Sequence, residues 1–172
     1  EASWRDYVRP MLDLIEAVPC RELTVLAESL VRIEALRSRM STQQPSVGGP
    51  FDVVLITGGV SKGKFDFLPA ELDAQGVKKV FHGVAQRPGK PLWFGLNPEG
   101  KPVFALPGNP VSSHVSFELF ARPALLRMMG RTDTHRLAVT ARAAQPFARR
   151  SDGKTHVDRV RVWLDDGAFV CE

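Results

Sequence analysis

The residues of this chain that could do chemistry are concentrated in three short turns rich in glycine and proline. In the first, the apolar run over 53–56 leads directly into a polar turn, 57–61. Glycine allows a sharp turn there and a close approach of a ligand, while backbone N–H groups can face an anion. The residues of interest are Thr57, Gly58, Gly59 and Ser61. Because the P-loop and dinucleotide-binding spacings are absent, this is either an anion cradle of another kind or only a turn.

Asp66 lies between two phenylalanines shortly after this turn. An aspartate at this point either caps the helix expected over 68–74 or supplies oxygen ligands to a metal or substrate. The residues alone favour the cap. Its expected position at the carboxyl end of a parallel strand, where such folds bind ligands, favours a functional role for Asp66.

The second turn carries two cations, Arg87 and Lys90, around Pro88 and Gly89. Proline restricts the backbone, so both cations project from a preset frame. A phosphate or oxyanion site and a charged surface loop are equally compatible with this pattern.

The third turn joins a strand expected over 102–106 to a helix expected over 111–129. The N–H groups of the first helical turn and the hydroxyl of Ser112 would bind an anion. The alternative is a strand-to-helix corner without a ligand. The candidate residues are Pro107, Gly108, Asn109, Pro110 and Ser112.

Hydrophobic periodicity predicts the elements that hold these turns. Helices are expected over 4–17, 29–40, 68–74 and 111–129, and strands over 23–27, 53–56, 78–85, 91–94 and 102–106. The continuous apolar run at 53–56 is typical of a strand buried in a parallel sheet. This alternation predicts an α/β fold, a three-layer α/β/α arrangement with a mostly parallel sheet.

The pattern changes beyond Gly130, where alternating β-like segments occupy 135–147 and 156–170. We therefore expect two domains, an α/β domain over 1–130 and a partial β domain over 131–172.

Composition narrows the function classes. With 172 residues, 44% of them apolar, the chain can form one core and a small satellite domain. No apolar run approaches the ~20 residues of a membrane span, and the first residues do not read as a signal peptide. The two cysteines lie near opposite ends, which favours a reduced cytoplasm.

The positive charge is concentrated in one segment. The net charge is +4, and residues 122–161 hold ten Arg or Lys against three Asp. Such a segment attracts anions, although for most of these arginines a solvated surface is the favoured interpretation. Without aromatic residues interleaved among the basic ones, or a zinc-finger or RRM signature, nucleic acid is not expected as a partner.

The fragments TGGVSKGKFDF, VAQRPGKP and LPGNPVS, in this order, resemble the central α/β domain of the molybdopterin molybdenumtransferases, the MoeA and gephyrin E-domain family. The family's commoner motif GVSVGDYD is altered in this chain, but its glycines and its last aspartate are kept. VLAESLVRIEAL is similar to the family's strand followed by two aspartates, and it puts Glu28 at the first of them. GKTHVDRVRVW resembles the start of the family's C-terminal β domain and puts Arg159 where that domain presents an arginine to the active site.

The resemblance implies molybdenum cofactor biosynthesis, in which molybdenum from molybdate enters adenylylated molybdopterin, AMP is released and Mg²⁺ assists. It implies that Asp66 and Glu28 are the catalytic and metal-binding carboxylates, and that Arg87, Lys90 and Arg159 contact oxyanions. The turns at 57–61 and 107–112 would bind the phosphates and shape the pocket. A homodimer is also implied, and the chain resembles a nearly complete central domain with part of the next one.

Three other interpretations remain open at this point. The chain could have the related molybdopterin adenylyltransferase activity, although Val60-Ser61 after Gly59 differs from the Gly-Gly-Thr-Gly expected there. It could be a truncated, non-catalytic pterin-binding domain, or a phosphate-binding domain for another substrate. Protection by AMP and molybdate would support molybdenum insertion, and protection by a nucleoside triphosphate would support the adenylyltransferase. Protection by neither would support the non-catalytic domain.

Overall fold

The computed structural model describes residues 4–14, 24–26, 51–60, 67–146 and 151–172. The expected helix over 29–40 lies outside these ranges. The elements of the first part are α1 (Trp4–Asp13), β1 (Thr24–Leu26), β2 (Val54–Thr57), α2 (Leu68–Ala74), β3 (Lys78–His82), β4 (Gln86–Arg87), β5 (Trp93–Leu96) and β6 (Pro102–Leu106). Next come α3 (Pro110–Ser116), a π-helical turn (Phe117–Ala121) and α4 (Arg122–Met128), and then β7 (Arg142–Ala143), β8 (Thr155–His156), β9 (Val162–Asp165) and β10 (Ala168–Cys171).

Five strands form the main sheet in the order β1-β2-β6-β5-β3. The neighbours β1, β2 and β6 are parallel, whereas β5 is antiparallel to both β6 and β3. Four strands therefore point in one direction, and β5 alone is reversed. The expected mostly parallel sheet is confirmed.

The two faces of this sheet bury different sets of apolar side chains, because successive residues of a strand point to opposite faces. One face packs against α1 and the helix from α3 to α4, with Leu55, Phe94, Phe104, Met11 and Phe120 in its core. The other face packs against α2, with Leu72, Val77, Trp93, Val103 and Ala105. Two helical layers enclosing one sheet confirm the α/β/α architecture.

The segment after β6 is helical from Pro110 to Met128, and the π-helical turn lies in its middle. Proline cannot donate a backbone hydrogen bond, and its ring clashes with the carbonyl four residues earlier. Pro123 lies two residues after the π-helical turn, and the wider turn accommodates that proline inside a continuous helix. The helix ends at Met128, and Gly130, with φ 79°, terminates it as expected from the sequence.

Beyond Gly130, β7, β10 and β9 form a small sheet. The hairpin between β9 and β10 turns at Asp166 and Gly167, which both have positive φ, as in a type I′ turn. Within the described residues, the expected strand over 135–147 is wrong at 135–141 and 144–146, and only Arg142–Ala143 is a strand. Residues 136–140 are exposed, so their alternating pattern has no face to bury.

Two further element boundaries differ from expectation. The strand expected over 78–85 ends at His82, because Gly83 adopts φ 86° and turns the chain. The helix expected over 4–17 ends at Asp13. Within the described ranges, no helix combines the length and apolar character needed to cross a membrane.

Candidate functional site

All three motif turns fall on one edge of the main sheet. The strands β2 and β6 are parallel, so the turns that follow them, at Gly58 and Pro107, lie side by side. The strand β3 runs in the same direction, and β5 runs opposite to it. The connection from β3 to β5, which contains Arg87 and Lys90, therefore lies at this edge as well.

The first and third turns are in direct contact. The Gly58 amide donates to the carbonyl of Leu106 at 2.9 Å, and a Cβ added to Gly108 would lie 3.4 Å from the Gly58 Cα. Gly58 and Gly59 have φ of 92° and 70°, in the left-handed region that favours glycine. Two backbone segments without side chains are thus packed together, with Gly58 buried and Gly108 exposed. Thr57, the last residue of β2, and Gly59 are partly exposed on either side of Gly58.

The start of α3 is capped by the chain itself. Asn109 Oδ1 accepts hydrogen bonds from the Val111 and Ser112 amides, both at 3.1 Å, and Ser113 donates its amide to the Asn109 carbonyl. Pro110 has no N–H. These amides therefore already have acceptors in the folded chain, and anion binding by them stays a prediction.

Two side-chain groups at this corner can also donate hydrogen bonds. The hydrogen bonds that Asn109 makes within the described residues leave its Nδ2 group available as a donor. The Ser112 hydroxyl lies 3.4 Å from Asn109 Oδ1 and can rotate toward a ligand. A candidate anion contact at this corner consequently rests on Asn109 and Ser112.

The second turn is fixed from beneath by a buried glutamine. Gln86 is completely buried, and its Nε2 donates to the Pro88 carbonyl at 3.0 Å. A Cβ on Gly89 would collide with Gln86 Nε2 and lie 2.7 Å from the Oγ of Ser116 on α3. This packing leaves Arg87 and Lys90 exposed at the surface of the turn, and the ion pairs formed within the described ranges involve other cations.

The helix α3 spans the distance between the third turn and the second. Gly89 lies against Ser116, six residues after Pro110, which corresponds to about 9 Å along a helix. An elongated anionic ligand could therefore contact both corners.

The segment after residue 150 pairs with the second turn. The strands β4 and β8 are parallel, with the Thr155 amide donating to the Ala85 carbonyl and the Val157 amide to the Arg87 carbonyl. This pairing brings the segment that carries Arg159 alongside the second turn. The oxyanion contact of Arg159 stays a prediction. Arg159 is exposed.

A compact ionic cluster lies on the same segment. Asp152 accepts hydrogen bonds from Lys154 Nζ at 2.7 Å and from His156 Nε2 at 2.9 Å. These two donors hold the pKa of the Asp152 carboxyl far below its usual range. Asp152 is therefore a carboxylate across the physiological pH range.

Sequence reasoning missed three residues that shape this edge. His82 Nε2 lies 3.1 Å from the carbonyl of Val60, tying the end of β3 to the first turn. Gln86 and Ser116 form the support under Gly89. Their contacts are long-range or depend on burial, and no spacing in the sequence signals them.

The proposed carboxylates are not among the described residues. Glu28, Ser61 and Asp66 fall outside them, and the ranges that are described contain no cluster of three His, Cys, Asp or Glu residues that could hold a metal. The N-cap position of α2 is Phe67, which makes no side-chain capping bond. The roles of Glu28 and Asp66 therefore remain predictions.

Comparison with known proteins agrees with these motifs. Residues 18–127 match the family described as a probable molybdopterin binding domain. A molybdopterin molybdenumtransferase of Synechocystis sp. is 53% identical over 66 residues, which cover 38% of this chain and 17% of the relative. One from Staphylococcus aureus is 37% identical over 119 residues, covering 69% of this chain and 28% of the relative.

A solved structure, a molybdenum cofactor biosynthesis protein from Pyrococcus furiosus, is 28% identical and covers 84% of this chain and 41% of its own, with a TM-score of 0.48. The chain spans less than a third of the length of the two curated relatives described above. The family match covers well over half of the chain and includes all three motif turns. The chain therefore belongs to the molybdopterin-binding domain family and is related to the molybdopterin molybdenumtransferases.

Proposed function

We propose that the protein containing this chain inserts molybdenum from molybdate into adenylylated molybdopterin, with release of AMP. The observation that carries the proposal is the convergence of the three motif turns on one edge of the sheet. A ligand with phosphates and an added oxyanion needs cations, neutral donors and open backbone in one place. This edge offers each of them.

Individual roles follow from the chemistry of each group. The turn that begins with Thr57, Gly58 and Gly59 lets the substrate approach the backbone closely, and we assign Ser61, the next polar residue in the sequence, to the same contact. The amide of Asn109 and the hydroxyl of Ser112 donate to phosphate oxygens, and Pro107, Gly108 and Pro110 shape the corner. The cations of Arg87, Lys90 and Arg159 bind the oxyanion.

A divalent cation such as Mg²⁺ needs hard oxygen ligands, and carboxylates meet that need. We assign this role to Asp66 and Glu28, in keeping with the family resemblance of their sequence contexts. When bound, the ion would neutralise charge on the phosphates. We also propose that the protein acts as a homodimer in the cytoplasm.

The test is an insertion assay with adenylylated molybdopterin, molybdate and Mg²⁺, run on this chain and on the longest gene product that contains it. Asp66→Asn should abolish insertion without changing the far-UV circular dichroism. Asp73→Asn, which removes an exposed acid on α2, should leave insertion unchanged. Retained insertion in Asp66→Asn would remove Asp66 from the mechanism.

The same assay separates the alternatives. Activity with a nucleoside triphosphate and free molybdopterin, without molybdate, would identify an adenylyltransferase instead. Binding of AMP and molybdate without turnover in either protein would identify a non-catalytic binding domain.

A further inference from the structure

His156 and Arg87 are direct partners in the parallel pairing of β8 with β4. The backbone bonds of Thr155 and Val157 to the carbonyls of Ala85 and Arg87 fix this register on both sides. Partners in a parallel pair project their side chains to the same face, from strands about 4.8 Å apart. The imidazole of His156 and the guanidinium of Arg87 therefore extend from the same side of this short ladder.

The orientation of the His156 ring is set by Asp152. An ionised carboxylate only accepts hydrogen bonds, so Nε2, 2.9 Å from Asp152 Oδ1, carries a proton. The side chain of His156 is only 18% exposed, which limits its freedom. The second ring nitrogen, Nδ1, is the one that remains for a ligand.

The charges around His156 favour an anion. Asp152 is shared between His156 and Lys154, so its negative charge is already compensated. Arg87 and Lys90 on the facing turn and Arg159 further along the segment carry positive charges, against one negative charge on Asp158. An oxyanion next to Arg87 would accept a hydrogen bond from Nδ1 of the imidazolium form, in which both ring nitrogens are donors.

We propose that His156, held by Asp152, is a further binding residue of the oxyanion site and donates a hydrogen bond from Nδ1 to the anion bound at Arg87. The inference rests on the proposed function in taking molybdate as that anion. The backbone pairing of β4 and β8 does not depend on the imidazole, so the residue can be changed without removing the ladder.

The test is titration of this chain with sodium molybdate, followed by calorimetry and by the imidazole proton signals of its four histidines. Molybdate should shift the His156 signal and leave that of His135, which lies on the loop after α4, in place. His156→Gln should weaken molybdate binding about tenfold, the loss expected for one charge-assisted hydrogen bond. The matched control His135→Gln should bind as the unchanged chain does.

Thermal unfolding distinguishes binding from mere support of the fold. Without molybdate, His156→Gln should unfold at the same midpoint as the unchanged chain. Molybdate should raise that midpoint less in the variant, because a ligand that binds the folded state stabilises it in proportion to its affinity. Equal affinity and an equal rise with molybdate in His156→Gln would overturn the inference, even if Arg87→Gln weakens binding.

The outcome is separable from that of the proposed function. Molybdate binding that depends on His156 would uphold the inference even if no insertion activity were found. Failure of the unchanged chain to bind molybdate would overturn the inference.

Discussion

At the scale of single residues, the second turn depends on the absence of a side chain at Gly89. This residue has φ 102°, and an added Cβ would meet the buried Gln86 amide and the Ser116 hydroxyl. Gly100 also has positive φ, at 80°, but a Cβ there would meet nothing within 4 Å. The two glycines thus differ in packing while sharing an unfavourable backbone conformation.

We expect Gly89→Ala to destabilise the fold more than Gly100→Ala. The exposed control should lose about 1–2 kcal/mol of unfolding free energy, from backbone strain alone. Gly89→Ala should lose about 1–3 kcal/mol more, from overpacking. Urea denaturation of both variants measures the difference, and equal losses would show that the contacts under the turn can relax.

Asn109 has two separable tasks, because Oδ1 caps α3 while Nδ2 is available to a ligand. Asn109→Asp keeps a capping oxygen next to the helix N-terminus, so stability should be retained or slightly increased. It loses the donor and adds a negative charge, so affinity for AMP and molybdate should fall.

Asn109→Ala should lose about 1 kcal/mol of unfolding free energy together with the ligand contact. Denaturation and ligand titration of both variants therefore separate the two tasks. Undiminished affinity in Asn109→Asp would remove this residue from the binding site.

At the scale of elements, the sequence was sufficient to predict a helix or strand wherever proline, glycine or turn residues mark both of its ends. Pro69 and Gly76 bound the helix at 68–74, and the turn over 97–100 bounds the strand that begins at Pro102. The π-helical turn could not be predicted, because it depends on how Pro123 is accommodated in a packed helix. The prediction of a strand over 135–147 relied on alternating apolar and polar residues. These residues have no buried face to pack against, and alternation alone does not supply a neighbouring strand.

The same distinction holds for the site. The glycines, prolines and basic residues identified the three turns, because glycine and proline strongly restrict which backbone conformations a segment adopts. The capping role of Asn109 and the support from Gln86 and Ser116 arise from contacts made in the folded chain. The pairing of Thr155–His156 with Gln86–Arg87 joins segments almost 70 residues apart, which no periodicity indicates.

The loop after α4 is attached to the π-helical turn by an ion pair. Arg136 donates from Nε and Nη2 to the two carboxylate oxygens of Glu118, at 2.7 and 3.0 Å. This pairing lowers the pKa of Glu118 below its ordinary value of 4.5. A carboxyl with a lowered folded-state pKa contributes stability above its unfolded pKa and loses it as pH falls through the folded one.

Glu118→Gln should therefore lower the midpoint of thermal unfolding near pH 7 by about 2 °C. The difference from the unchanged chain should shrink as pH falls below 4.5. Asp165→Asn is the matched control, because its contact with Arg142 is a single 3.3 Å bond between exposed groups and should contribute little. A deficit that stayed constant down to acid pH would show that Glu118 acts by packing instead.

At the scale of the whole molecule, folding and binding draw on different parts of the chain. The two buried clusters on the faces of the main sheet take their residues from the part of the chain up to Met128. The segment 151–172 is attached to the second turn by backbone bonds at Thr155 and Val157, and it carries exposed apolar side chains such as Leu164 and Phe169. Its backbone pairing with β4 places His156 next to Arg87 at the candidate site.

Ending the chain at Arg150 should therefore leave the α/β domain folded while weakening oxyanion binding. The shortened chain should keep its helical circular dichroism and a cooperative unfolding transition, because both core clusters remain complete. Its affinity for molybdate should fall by more than that of His156→Gln, since Arg159 and His156 are lost together. If the shortened chain loses cooperative unfolding, the pairing of β4 with β8 stabilises the domain. If it binds molybdate as tightly as the full chain, the oxyanion site consists of Arg87 and Lys90 alone.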